Sequence, residues 1–148
     1  MYNTRHFIGA RTTKEAMFKA ISTPEGIEKW WSTQAKGIPE AGETLELYFE
    51  GITTLKFRYE QIIPNEKLVI RCINGFKSWY DTVLTHDLEE KDGQVFLTHI
   101  HSNIDPEDLE TLTYFNTKWT VYLLSLKDFL EKGKGTPAPG EVKLYHGD

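Results

Sequence analysis

The spacing of apolar positions changes twice along the chain and predicts three kinds of element in succession. Residues 5–12 (RHFIGART) mix β-branched and aromatic side chains, which is typical of a strand. The next segment predicts a helix with Thr13 as its N-cap and one apolar face formed by Ala16, Met17, Ala20 and Ile21. Thr23 and Pro24 then supply the cap and first position of a second short helix.

From residue 43 to residue 104 apolar and polar residues alternate with period two. Short turns such as Pro64-Asn65 and Asp92-Gly93 interrupt the alternation. Short turns between half-buried strands indicate antiparallel neighbours, so we expect about five strands, at residues 43–50, 53–62, 67–73, 80–88 and 94–104.

The last periodic segment predicts one long helix over residues 106–132. Asp105 and Pro106 are its expected cap and first position, and Gly133 its end. Apolar residues recur every three or four positions, with Trp119 at the centre of the stripe. Because nothing else in the chain is large enough to cover the sheet, we expect Trp119 to be buried against its concave side.

This order of elements predicts an α+β fold in which a curved antiparallel sheet is wrapped around a long C-terminal helix. The two short helices follow the first strand. We expect residues 1–133 to form a single domain. Residues 134–148 are rich in glycine and proline, which predicts a flexible or loosely packed tail.

Two adjacent tryptophans, Trp30 and Trp31, end the stretch TPEGIEKWWS. Neighbouring positions on a helix point about 100° apart, so one apolar stripe does not easily bury both rings. One interpretation packs Trp30 inward on Ile27 and places Trp31 at the rim of a cavity. The alternative is that both rings close the core.

Composition excludes several partners. The 148 residues carry a net charge of -5, which gives no support for binding nucleic acid or an anionic membrane. The single cysteine, Cys72, excludes an internal disulfide and a cysteine-based zinc motif. No stretch approaches the roughly 20 apolar residues of a membrane span, and the N-terminus lacks a signal-peptide pattern, so we expect a cytoplasmic protein.

Three stretches carry a resemblance to a known family: TPEGIEKWWS at 23–32, HIHS at 99–102, and YFNTKWTVYLLSLKDFLEKG at 114–133. With the order of elements, they resemble the START-like (SRPBCC) helix-grip superfamily, which has the START/Bet v 1-like fold. The most similar branch is the activator of Hsp90 ATPase homologue 1-like type, in its C-terminal domain. The resemblance covers residues 5–133.

That superfamily includes ligand carriers, cyclases, hydrolases and co-chaperones, so the resemblance implies the fold more specifically than the activity. The eukaryotic activator carries an additional N-terminal domain for which this chain has no room. The resemblance therefore gives little weight to a chaperone function, in which an Hsp90-type chaperone would be the partner.

The histidines His86, His99 and His101 form the main polar candidate site. His99 and His101 lie two apart and share one face of their strand, and His86 is expected opposite His99. Three such imidazoles could hold a metal or move a proton. The family pattern turns His99 and His101 inward, whereas the apolarity of Phe96 and Ile100 favours the opposite register.

No carboxylate clearly joins these histidines, so we assign no metal, no cofactor and no catalytic residue. Aromatic side chains predicted beneath the long helix suit a small-ligand cavity better, although they could equally fill it. With the histidines, the candidate cavity residues are Trp31, Phe49, Phe57, Tyr59, Trp79, His86, His99, His101, Phe115, Trp119 and Tyr122.

The leading hypothesis is non-enzymatic binding of a small hydrophobic or aromatic molecule between the sheet and the long helix. One alternative is an Hsp90-type co-chaperone or stress-response module. Another is a cyclase- or hydrolase-like enzyme with one of the three histidines as general base beside Tyr59 or Tyr122. The protein is expected to be a monomer or a weak homodimer.

Overall fold

A computed structural model describes all residues of the chain, 1–148. Seven strands form one antiparallel sheet in the order β1-β7-β6-β5-β4-β3-β2. They are β1 (Tyr2–Ala10), β2 (Gln34–Gly37), β3 (Thr44–Phe49), β4 (Thr53–Ile63), β5 (Lys67–Asn74), β6 (Val83–Lys91) and β7 (Gln94–Ile104). The helices are α1 (Lys14–Ser22), α2 (Pro24–Ile27) and α3 (Leu109–Lys132).

The core lies between one face of the sheet and α3, as the helix-grip prediction requires. Alternate residues of each central strand point to this face, for example Leu45 and Leu47 of β3, both fully buried. From α3, Trp119 is 2% exposed, which confirms that it is buried. The helix also covers the free edge of β1, where Lys127 Nζ donates a 2.7 Å hydrogen bond to the carbonyl oxygen of Gly9.

The two predicted caps of the short helices are confirmed. Thr13 accepts a hydrogen bond from the Ala16 amide at 3.1 Å, and Thr23 accepts one from the Gly26 amide at 3.0 Å. The helix α2 is only four residues long and ends before the tryptophan pair. At Gly26 the backbones of the two helices approach closely, because an added Cβ would lie 2.7 Å from Ala20 Cα.

The starts of α3 and β6 differ from the sequence prediction. The helix α3 begins at Leu109 with Asp108 as N-cap, because Asp105 instead accepts from the Glu107 amide and holds a separate turn. The strand β6 begins at Val83, after a turn in which Asp81 has a φ of 66°.

The strand β2 was not predicted. Its sequence, QAKG, has no apolar alternation, and it lies at the sheet edge where only β3 pairs with it. Six strands rather than about five therefore follow the short helices.

Residues 134–148 contain no helix or strand, in keeping with their glycine and proline content. They nevertheless make specific contacts with the rest of the protein. The Ala138 amide donates to the carbonyl oxygen of Trp31 at 2.9 Å, and Glu141 is 6% exposed. This packing is closer than the composition indicates, and the mobility of the tail in solution stays a prediction.

None of the helices combines the length and apolarity needed to cross a bilayer. The cytoplasmic location expected from the sequence stays a prediction.

Candidate functional site

A cavity of about 1060 Å³ lies beside the N-terminal half of α3. The turn between β3 and β4, the segment 76–79 and the C-terminal tail complete its wall. Its apolar lining includes Trp31, Phe49, Leu55, Trp79, Phe115, Trp119 and Tyr122. The inward positions of β3 and β4 reach the cavity because their side chains alternate across the sheet.

Trp31 lies at the centre of the aromatic wall. Its ring centroid is 5.1 Å from that of Trp119, 5.8 Å from that of Phe49 and 6.4 Å from that of Trp79. Trp79 in turn meets Phe115 edge to face at 5.0 Å. Tilted and edge-to-face contacts of this kind are the favoured aromatic geometries, so each ring fixes the orientation of its neighbours.

The tryptophan pair is buried as a whole. Trp30 is 1% exposed and donates its indole hydrogen to the carbonyl oxygen of Ala20 at 2.8 Å, so it packs on α1. Trp31 is 3% exposed and forms part of the cavity wall rather than an exposed rim. The pair follows α2 on hydrogen-bonded turns, since both amides bond back to Ile27, and each ring therefore meets different partners.

The histidines of β7 point inward. His99 and His101 are fully buried, whereas Phe96 and Ile100 lie on the outer face of the sheet, where Phe96 stacks on Phe7 with centroids 5.1 Å apart. The register favoured by the family pattern is the one that the structure shows.

His101 has both ring nitrogens engaged. Trp119 Nε1 donates to His101 Nδ1 at 3.0 Å, and because an indole nitrogen can only donate, His101 Nδ1 carries no proton. His101 Nε2 therefore donates to Thr82 Oγ1 at 2.8 Å, and Thr82 donates to the carbonyl oxygen of Trp79 at 2.6 Å. Burial, with a smaller effect of His86, lowers the pKa of His101 to about 3.

His86 donates from Nδ1 to the carbonyl oxygen of Leu68 at 3.2 Å, and burial lowers its pKa to about 4. Neither ring nitrogen of His99 has a hydrogen-bond partner. Burial and the neighbouring histidines hold the pKa of His99 well below its ordinary value. Trp119 lines the cavity and its ring centroid is 4.1 Å from that of His99, so the indole separates this histidine from the cavity.

The cavity wall also has a polar part, formed by α3 and the tail. Lys118 Nζ lies 2.8 Å from Glu141 Oε2 and 2.6 Å from Asp148 Oδ2, and these three side chains are 7%, 4% and 3% exposed. Tyr122 donates to Glu141 at 3.1 Å, and Tyr114 donates to Asp148. Tyr114, Lys118 and Tyr122 lie four residues apart in the sequence. The tail that supplies the carboxylates, however, was expected to be flexible or loosely packed.

The pKa of Glu141 shows how strongly this cluster favours the charged carboxylate. Burial by itself would raise that pKa, but hydrogen bonds from Lys118 and Lys143 outweigh it and hold the value below the ordinary one. The pKa of Asp148 is lowered by the same balance of burial against hydrogen bonds from Lys118 and Tyr114.

The predicted site residues fall into two groups. Trp31, Phe49, Trp79, Phe115, Trp119 and Tyr122 line the cavity. Phe57 lies behind this wall, with its ring 5.9 Å from that of Trp79. Tyr59 is buried elsewhere, because its hydroxyl donates to the carbonyl oxygen of Ser22 at 2.6 Å at the end of α1.

The three histidines do not line the cavity. No group of three or more histidine, cysteine, aspartate or glutamate side chains is arranged to hold a metal ion.

The family model described as Activator of Hsp90 ATPase homolog 1-like protein matches residues 11–131. The chain belongs to this family. The match covers both short helices, strands β2 to β7 and most of α3. It confirms the resemblance carried by the three sequence stretches. No curated protein matches the chain.

One solved structure supports this assignment, and two more share the fold. The solution structure of the Aha1 dimer from Colwellia psychrerythraea is 35% identical, with a TM-score of 0.80, over 91% of this chain and 100% of that one. Protein SSP2350 from Staphylococcus saprophyticus is 22% identical, with a TM-score of 0.79, over 93% and 98% of the two chains. Protein MLL2253 from Mesorhizobium loti is 16% identical, with a TM-score of 0.78, over 87% and 96%.

Proposed function

We propose that the protein binds a small hydrophobic or aromatic molecule, without transforming it, in the cavity between the sheet and α3. The observation that carries this proposal is the cavity of about 1060 Å³ with its wall of aromatic rings. Ligand pockets usually measure roughly 300–1000 Å³ and are lined mainly by apolar and aromatic side chains. The volume is far larger than a packing defect in a filled core.

The wall supports ligand binding because its rings are held in place before a ligand arrives. Trp119 is fixed by its hydrogen bond to His101, and Trp31 packs on Trp119 and Phe49. Little side-chain entropy is therefore lost when a ligand packs on them, and more of the burial energy contributes to affinity.

The rim supports the same function. Four apolar side chains at the cavity edge are about half exposed: Ile52 at 54%, Phe76 at 49%, Leu109 at 61% and Tyr145 at 58%. They come from four separate segments, and all four line the cavity while remaining accessible to solvent. Exposed apolar surface at a cavity is characteristic of ligand or partner binding.

Binding accounts for the site better than the cyclase or hydrolase alternative. A general base has to come within hydrogen-bond reach of the substrate. His101 already uses both nitrogens, and His99 lies behind Trp119.

Tryptophan fluorescence titration tests the proposal, because Trp31, Trp79 and Trp119 line the cavity. The probes are uncharged aromatic and aliphatic alcohols, with 4-phenylbutan-1-ol as the reference. We expect a saturable change with a Kd of about 100 µM, or about -5.5 kcal/mol. The Trp30→Phe variant is the control and should keep the response, because Trp30 does not line the cavity. If none of the probes gives a saturable response, the proposal is overturned.

The relatives favour a second candidate function, that of an Hsp90-type co-chaperone module, either as a monomer or as a weak homodimer. The supporting observation is the 35% identity to an Aha1 that was solved as a dimer. Pull-down with a purified Hsp90-type ATPase, followed by an ATPase assay, tests the co-chaperone candidate, and absence of both binding and stimulation removes it. Sedimentation equilibrium over a range of protein concentrations tests the dimer.

A further inference from the structure

Three hydrogen-bond donors line up along the cavity side of α3. Tyr114, Lys118 and Tyr122 are spaced four residues apart, so they follow one face of the helix, and all three line the cavity. The Lys118 ammonium lies 6.0 Å from the ring centroid of Tyr114 and 5.6 Å from that of Tyr122. We refer to these three residues as the donor stripe.

The donor stripe is occupied by carboxylates of the same chain. Lys118 contacts Glu141 and Asp148 at 2.8 and 2.6 Å, Tyr122 donates to Glu141 at 3.1 Å, and Tyr114 donates to Asp148. Each carboxylate thus receives hydrogen bonds from the lysine and from one tyrosine. This is the arrangement expected of an anion-binding site.

The tail is attached through that site. Ala138 is held by two hydrogen bonds to the body of the protein, from its amide to Trp31 and from the Thr33 hydroxyl to its carbonyl oxygen. From residue 139 onward, every hydrogen bond between the tail and the rest of the protein is made by a residue of the donor stripe. The segment has no helix or strand of its own. A competitor for the donor stripe would therefore release the segment after Ala138 without disturbing the sheet or α3.

We propose that the donor stripe binds the carboxylate of a hydrophobic ligand, and that Glu141 and Asp148 occupy this site until such a ligand displaces them. The inference rests on the proposed function, since it places the ligand's apolar part in the same cavity. Phe115 and Trp119 each follow a donor-stripe residue directly along α3 and also line the cavity, so a ligand held at Lys118 would lay its apolar part on their rings.

Charge decides which ligands can make this exchange. Lys118 is almost completely buried, and a buried ammonium without a counter-charge is strongly unfavourable. A ligand carboxylate replaces the tail carboxylates and keeps Lys118 neutralised. An uncharged ligand of the same shape cannot do so, and it has to bind with the tail in place. The ligand class assigned to the cavity is therefore a carboxylic acid with an aromatic or aliphatic body.

The test compares 4-phenylbutanoate with 4-phenylbutan-1-ol, which differ only in the head group, by isothermal titration calorimetry at pH 7. In Glu141→Gln/Asp148→Asn the tail no longer competes, and we expect about tenfold tighter binding of the carboxylate with little change for the alcohol. The Lys118→Met variant should no longer bind 4-phenylbutanoate more tightly than 4-phenylbutan-1-ol. The matched control is Glu43→Gln/Glu89→Gln, which removes the same charge at two exposed acids that do not line the cavity, and it should shift the carboxylate affinity less than about threefold.

Hydrogen exchange of the amides of residues 140–148 provides a second, independent readout. Saturation with 4-phenylbutanoate should accelerate their exchange, whereas saturation with 4-phenylbutan-1-ol should not. If both probes bind but the double variant gains no carboxylate affinity, or the carboxylate binds without faster tail exchange, the inference is overturned while the binding function stands. If neither probe binds wild type or any variant, the proposed function and this inference both fail.

Discussion

Trp119 donates its indole hydrogen to Nδ1 of His101 across 3.0 Å, and this contact joins the cavity wall to the polar interior of the sheet. It also fixes the tautomer of His101, whose other nitrogen then donates to Thr82. The ring that faces the cavity is thus held by a buried hydrogen-bond chain. Such fully satisfied chains make a site rigid.

Replacing each of the two buried histidines of β7 by leucine should have different effects on the free energy of unfolding. His101→Leu leaves the Trp119 indole hydrogen without a partner, so we expect the free energy of unfolding to fall by about 1–3 kcal/mol beyond packing effects. His99→Leu breaks no hydrogen bond and should be close to neutral or stabilising. Urea denaturation of both variants at pH 7 checks this. Equal losses would show that the chain through His101 contributes nothing.

Trp119→Ala should lower the free energy of unfolding by about 3 kcal/mol, at the low end of the range for large-to-small changes at aromatic residues. The ring is 2% exposed, but one side borders the cavity and has no packing partner to lose there. The same variant should bind 4-phenylbutan-1-ol with altered affinity. The unfolding midpoint and a titration on one sample measure both effects, and a variant indistinguishable from wild type in both would contradict the placement of α3.

Stability should fall as the pH drops from about 6.5 to 4. The pKa of His86 is lowered to about 4 and that of His101 to about 3, while unfolded histidine titrates near 6.5. In this window the unfolded chain binds protons that the folded protein does not, so lower pH favours unfolding. At pH 5 each of these two histidines should lower the free energy of unfolding by about 2 kcal/mol.

Denaturant unfolding at pH 7, 6 and 5 measures how the free energy of unfolding changes with pH. Replacing His86 by leucine should reduce this change. The carboxylates Glu141 and Asp148 have lowered pKa values, so their contribution is lost only at still lower pH. A stability that does not change between pH 7 and pH 5 would contradict the neutral, buried state of these histidines.

Gly26→Ala should destabilise the protein by about 1–3 kcal/mol, because the new methyl group would collide with the backbone of α1 at Ala20. Backbone atoms cannot move aside as a flexible side chain can. Gly140→Ala is the matched control, since its nearest neighbour, the carbonyl oxygen of Pro137, would be 3.4 Å away. Thermal unfolding of both variants is the measurement, and equal midpoints would count against close packing of the two short helices.

The sequence predicted those parts of the fold that local physics determines. Alternation predicted the inward residues of β3 and β4, and the hydroxyls of Thr13 and Thr23 marked the starts of α1 and α2. It did not predict β2, whose four residues, QAKG, form a strand only because β3 offers them an edge.

The candidate site was predicted in part for similar reasons. Phe49 of β3 and the rings of α3 were expected in the cavity wall because they lie on strongly periodic segments, whereas Trp31 and Trp79 lie in turns. The direction of His99 and His101 was left open because residues on either face of β7 include apolar ones, and only packing against α3 decides the register. The polar cluster at Lys118 depends on carboxylates from a tail with no periodicity, and tertiary contacts of this kind leave no local pattern.

The central claim is that a ligand binds in the cavity between the sheet and α3. Filling that cavity from one side tests this claim most directly. Thr53 points into the cavity from β4, whereas its neighbour Thr54 is exposed on the opposite face of the same strand. Titration of 4-phenylbutan-1-ol should show at least about tenfold weaker binding to Thr53→Trp, because the indole would occupy the ligand's space, and unchanged binding to Thr54→Trp. Equal binding by the two variants, with both folded by circular dichroism, would contradict a ligand site between the sheet and α3.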